Sequence, residues 1–194
     1  MFFKIAFKTL GIFSCQILLF FSSINGKETD EFPVILTANT LSPLMERELR
    51  GCFDFFWNEW NENPSSPTYG MTNGDYVGLK KYSPLAIENQ GFYFTAIIIG
   101  VERGWITWEE GEKRILITLK TLRSLKRIKG FWYHFIDQET GKRGWKDSNN
   151  IELSNASAGT MLLGALAASE YFGGEIKKIT IELYEEMDWK WFTN

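Results

Sequence analysis

The sequence predicts an all-α fold carrying one small β-hairpin, and three observations predict it. Apolar residues recur at spacings of three and four in several segments along the chain. Two of these segments open on helix-capping residues, and two others close on glycines. One short stretch, 130–146, alternates with a period of two instead.

The N-terminus stands outside that fold. Lys4 and Lys8 precede an apolar run from Leu10 to Ile24, and no acid appears before Glu28. A positive leader followed by a short apolar core is the pattern of a secretory signal peptide, so residues 1–26 are expected to be removed, with cleavage near Gly26. The run is shorter than the roughly 20 residues a spanning helix needs. Cys15 lies inside it, so Cys52 alone remains in the mature chain and no intramolecular disulfide forms. Export without a disulfide framework points to a secreted or periplasmic protein of bacterial type. Residues 27–40 are polar and irregular and read as a linker ahead of a single domain, 41–194.

The first helix starts at Ser42, an N-cap, with Pro43 at its first position. Met45, Leu49, Cys52, Phe53, Phe56 and Trp60 mark one apolar face. Residues 62–83 carry Pro, Gly, Asn and Ser and read as a long loop. A second helix runs from about Ile87 to Arg103 and stops at Gly104. Its middle, Phe92 to Val101, is apolar almost all round, which places it in an inner layer. Thr107 and Glu110 form a capping box for a third helix reaching about Arg127, with Arg123, Lys126 and Arg127 near its negative end. In the alternating stretch, Phe131, Tyr133 and Phe135 interleave with Trp132 and His134 before a Gln138–Lys142 turn. A fourth helix, about Asn155 to Phe172, is rich in Ala and Gly and ends at Gly173-Gly174. The fifth runs from about Glu175 to Met187, and an aromatic cluster, Trp189 to Phe192, follows.

Composition narrows the function. With 44% hydrophobic and 23% charged residues the chain is globular, and its aromatics are many: Trp 8, Tyr 7 and Phe 16. Loss of Lys4 and Lys8 takes the formal net charge from −3 to −5. A mildly acidic chain without a basic block does not suit nucleic acid, nor a membrane surface once the leader is gone. There is no phosphate-binding glycine loop, no Cys/His metal spacing and no nucleophilic serine motif, so neither metal nor cofactor is expected.

Four segments in order carry a resemblance: "FDFFW" at 53–57, "IIIGVERGWITWEEGEKR" at 97–114, "GFWYHFIDQETGKRGWK" at 130–146 and "ELYEEMDWKWF" at 182–192. Together they resemble the glucoamylase-like domain of bacterial β-1,2-glucan-active glycoside hydrolases and cyclic β-1,2-glucan synthases, over roughly residues 44–194. The resemblance implies an (α/α)₆ toroid, of which this chain holds about the first two to three helical hairpins. The domain is thus expected to be a truncated one, leaving room for a complementing C-terminal fragment. It also implies an oligo- or polysaccharide partner, a β-glucan, with water as second substrate. The family reads Glu-(Leu/Val)-Ser-x-x-Asp after the hairpin, where this chain has Glu152, Leu153, Ser154 and then Ser157 in the acidic place.

Glycoside hydrolysis uses two carboxyl groups flanking the scissile bond. Among the acids of this region, Asp137, Glu139, Asp147 and Glu152, the catalytic candidate is Glu152. Asp137 is expected to order the turn. Trp132, Tyr133 and Trp145 offer flat faces for glucose rings, and His134 and Ser154 complete the expected sugar contacts. Trp105 and Trp108 flank a helix junction and read as structural. With Ser157 in place of an acid, the chain is expected to be a glycoside-hydrolase-like domain without turnover. The rival readings are a non-catalytic carbohydrate-binding remnant and the truncated product of a disrupted gene.

Overall fold

The structure, a computed structural model, describes residues 42–74, 84–144 and 150–193. The expected signal peptide, the linker, Trp145 and Asp147 lie outside the described residues. Five α-helices and one two-residue strand pair follow in order: α1 Pro43–Asn58, β1 Leu85–Ala86, α2 Ile87–Glu102, α3 Trp108–Ser124, β2 Phe135–Ile136, α4 Asn155–Phe172 and α5 Gly174–Glu185. A 3₁₀ turn, Trp189–Phe192, ends the chain's described part. The all-α expectation holds. Among the described residues no helix is long and apolar enough to cross a membrane.

The chain divides into two units, Met1–Gly51 and Cys52–Asn194. In the first, the Ser42 hydroxyl accepts the Met45 N–H at 3.3 Å, as a cap should. The second unit holds the core. α2 is buried on nearly every side, as its unbroken apolar middle requires. Its chief neighbour is α4, which packs in turn on α5. The α2–α4 crossing is close because glycines meet there. A Cβ at Gly91 would collide with the Thr160 carbonyl, and one at Gly164 would collide with the Gly91 carbonyl. α3 packs on α2 and α5, burying Ile115, Leu119 and Leu122.

Caps set most helix starts. The Thr107–Glu110 box forms in full, with the Glu110 N–H donating to Thr107 Oγ1 at 3.1 Å and the Thr107 N–H to Glu110 Oε2 at 2.8 Å. Helix ends depart from the sequence reading by two or three residues. α3 stops at Ser124 because Leu125 turns extended and is buried. Arg127, beyond that end, pairs with Glu186 and lies over Trp132. α1 stops at Asn58, and Trp60 instead bridges to Thr72.

Within the described residues, the loop after α1 is held by backbone hydrogen bonds. The Asn61 N–H donates to the Met71 carbonyl at 2.9 Å and the Gly70 N–H to the Asn61 carbonyl at 2.9 Å. Gln90, fully buried in α2, fastens this loop by a peptide-like pair: it accepts the Thr72 N–H and donates to the Thr72 carbonyl, both at 3.0 Å.

The hairpin expectation needs one correction. The Gln138–Lys142 turn closes as read, with Ile136 bridging Arg143 and the Asp137 N–H donating to the Lys142 carbonyl at 2.8 Å. The strand partner of Phe135–Ile136, however, is Leu85–Ala86, paired antiparallel with Leu85 opposite Ile136. Two-residue strands carry no period of their own, so a partner some fifty residues away leaves no mark in the sequence.

Candidate functional site

Three backbone segments meet at the entry to α2 and α4. The Ile87 N–H donates to the His134 carbonyl at 3.1 Å, and the His134 N–H donates to the Glu152 carbonyl at 2.9 Å. Tyr133 and Leu153 form an antiparallel bridge beside them. These pairings fix three side chains in register: Glu88 in the first turn of α2, His134 just ahead of β2, and Glu152 two residues before the Ser154 cap.

The imidazole lies between the two carboxylates. His134 Nδ1 is 2.7 Å from Glu152 Oε1, and Nε2 is 2.8 Å from Glu88 Oε1. The ring stacks on Phe135 with centroids 4.0 Å apart and 17° between planes. Burial disfavours a charged ring here, but the bonds and charges of Glu152 and Glu88 outweigh it, so His134 titrates above its ordinary value. Glu152 is held below the usual carboxylate range, first by its own backbone N–H and then by His134. The Glu152 side chain is 63% exposed against 26% for Glu88, so Glu152 is the carboxylate presented to solvent. The carboxylates take opposite edges of the ring rather than converging on a point, and no metal-holding group forms among the described residues.

The other expected site residues divide. Trp132 is corrected: it is 1% exposed and donates its Nε1–H to the Leu122 carbonyl at 3.0 Å, so it belongs to the core and offers no face to a sugar. Tyr133 is half-buried, with the Arg143 guanidinium 4.7 Å above its ring. The Ser154 hydroxyl accepts the Ser157 N–H at 3.1 Å and caps α4, which gives it a structural task. Trp145 lies outside the described residues. Asp137 orders the turn as expected, its Oδ1 accepting from the Glu139 and Thr140 N–H groups and the Thr140 hydroxyl. Trp105 packs on Phe53 and Trp108 on Tyr171 and Phe172, in keeping with structural roles.

Glu88 is the residue that sequence reading missed. It is the first charged residue of α2, but an acid in a first turn is also what the helix dipole favours. A second depression, about 470 Å³, is lined by Asn61, Asn63, Ser65, Ser66, Pro67, Gln138 and Glu139. Its amides and hydroxyls bond mainly to their own loop: Asn61 Nδ2 to Ser66 Oγ at 2.9 Å, and Asn63 Oδ1 from the Ser65 N–H at 3.0 Å. The His134 cluster is therefore the stronger candidate.

Comparison with known proteins bears on the fold. No family model matches the chain. An exo β-1,2-glucooligosaccharide sophorohydrolase acting at the non-reducing end, from Parabacteroides distasonis, is 32% identical over 176 residues, spanning 72% of this chain. A glucoamylase-like structure from Bacteroides uniformis superposes with a TM-score of 0.67 at 28% identity, covering 79% of this chain and 38% of that one. A β-1,2-glucanase structure from P. distasonis gives 0.63 at 26% identity, over 76% of this chain and 21% of that one. The chain spans about a quarter of the curated relative's length, 24%. These neighbours are glucoamylase-like α/α toroids, and the described helices correspond to part of such a toroid.

Proposed function

We infer that this chain, a relative of β-1,2-glucan hydrolases and glucoamylase-like proteins, is an exported glycoside-hydrolase-like domain that recognises β-1,2-linked glucan without hydrolysing it. The observation that carries the reading is the unequal exposure of the cluster's two carboxylates, held on opposite edges of one imidazole. The Glu152 side chain is 63% exposed, while the second carboxylate, Glu88, is half-buried at the opposite edge of the ring. Hydrolysis needs two carboxyl groups with the scissile bond, or a water, between them. Here an imidazole fills that space. Ser157, where the resembling family carries an acid, is buried and its N–H is bound to Ser154, and a hydroxyl does not donate protons as a carboxylic acid does near neutral pH.

Recognition asks less of the site than turnover. An ionised carboxylate and an imidazole are good partners for vicinal hydroxyls, and half-buried Tyr133 adds an apolar edge with a polar tip. The P. distasonis relative acts on β-1,2-glucooligosaccharides, which supports this linkage over others. Calorimetric titration of the chain with β-1,2-, β-1,3- and α-1,4-glucooligosaccharides tests the reading. Weak binding confined to the β-1,2 series, and abolished in Glu152→Ala, is expected. Equal binding of all three, or of none, would overturn it.

A further inference from the structure

We propose that Glu88 is a positioning residue for Glu152, acting on it through the ring of His134. Its consequence for sugar recognition rests on the glycan reading above, whereas the relay stands on geometry alone. Both ring nitrogens are engaged at once by carboxylate oxygens, at 2.7 and 2.8 Å. A neutral imidazole has one N–H and an acceptor nitrogen, so it satisfies only one of those oxygens. The imidazolium has two N–H donors and satisfies both. With Glu88 in place, the ring is therefore charged and its Nδ1–H is aimed at Glu152.

The fixed end of this chain of bonds is Glu88. It stands one residue after Ile87, whose N–H is bound to the His134 carbonyl, and its side chain is far less exposed than that of Glu152. Glu88 Oε2 is buried and makes no hydrogen bond among the described residues, so its carboxylate is anchored through Oε1 to the ring. Stacking on Phe135 keeps the ring plane from swinging away. The charged groups facing the imidazole are Glu88 from α2 and Glu152 from the segment ahead of α4, with Arg143 over the neighbouring Tyr133. Without the Glu88 charge the ring reverts more readily to its neutral form. Glu152 then loses a charged donor and gains freedom to turn.

His134 is the only histidine in the chain, so its ring signals are assigned without ambiguity. The experiment uses the full chain with ¹⁵N-labelled imidazole and ¹³C-labelled glutamate carboxyls, titrated by NMR. In the parent protein both ring nitrogens are expected to be protonated at neutral pH. In Glu88→Gln the His134 midpoint should shift down and the Glu152 midpoint should shift up. Glu88→Asp, which keeps the charge, should restore part of both shifts. Should Glu88→Gln lose helical circular dichroism, Glu88→Asp carries the test: a partial shift of Glu152 supports the relay, and no shift overturns it.

Adding β-1,2-glucotriose separates the two claims. A sugar-induced change at His134 in the parent protein is expected, weakened in Glu88→Gln. A Glu152 midpoint unmoved by Glu88→Gln, with the sugar response intact, overturns the relay alone. A parent protein whose His134 ignores the sugar overturns the glycan reading, and the relay is then judged on the two midpoints.

Discussion

At His134 the competition is between burial, which lowers the pKa of the ring, and two carboxylates, which raise it further than burial lowers it. At Glu152 the backbone N–H and the ring pull the other way and hold the carboxylate ionised. The linkage follows from these directions. A raised histidine contributes stability fully below its ordinary value of 6.5, and the contribution is lost as pH rises through the folded value. A depressed glutamate contributes fully above its ordinary 4.5 and loses its contribution as pH falls through the folded value. The cluster therefore stabilises the chain most between pH 4.5 and 6.5. Thermal melts of the parent protein and His134→Gln across pH 3–9 should show the widest gap in that window and a narrowing on both sides; a gap that is flat with pH would contradict this. Part of the cluster was legible beforehand. His134 and Glu152 stood out as a lone histidine and an acid ahead of a cap. Glu88 did not, because a dipole-favoured acid and a site acid look alike at a helix start. Trp132 misled for a related reason: two neighbouring aromatics alternate in any extended segment, and only the covering helix decides which one is inside. Replacing Trp132 with Ala should cost about 3–5 kcal/mol of stability, read from denaturant melts. A sugar platform would instead lose glycan binding at nearly unchanged stability.

Helices were the most legible elements because their signals are local. The Ser42 cap, the Thr107–Glu110 box and the Gly173 stop each sit within a few residues of the boundary they set. Far ends were less legible. The third helix is expected to reach about Arg127, yet burial of Leu125 ends it at Ser124. Strand pairing was the least legible, since β1 and β2 are brought together by the packing of α2. That packing depends on the glycine contact between α2 and α4. The abundance of small residues in α4 announced a close neighbour, though not which helix it would be. Gly164→Ala should destabilise the chain by about 1–3 kcal/mol or more, because the new methyl meets the Gly91 backbone rather than a movable side chain. The entry of α2, and with it Glu88, should shift as well. A Gly164→Ala protein with parent stability and an unaltered His134 titration would show that the crossing does not set the site. Gly159→Ala on the same helix serves as control, since its nearest non-local neighbour is the Trp189 ring at 3.9 Å.

For the whole molecule, the resemblance carried by four ordered segments and the superposition on glucoamylase-like toroids lead to one fold, while the chain covers 38% of the B. uniformis structure. Fold alone does not confer activity, which depends on the carboxylates in the site. In this chain the described cluster joins its two carboxylates through an imidazole, and Glu152 is the more exposed of the two. General acid–base help is worth about 10²–10⁴-fold, so on the proposed reading, with no second carboxylate facing Glu152 in the described cluster, hydrolysis falls below detection. Binding has no such requirement. The most direct measurement is the release of reducing ends from linear β-1,2-glucan incubated with the purified chain, run beside Glu152→Gln under identical conditions. The expected result is a rate no higher than buffer for both proteins, with the parent protein still binding β-1,2-glucooligosaccharide. Reducing ends that accumulate with the parent protein and vanish in Glu152→Gln would contradict it, and would make Glu152 one half of a working catalytic pair.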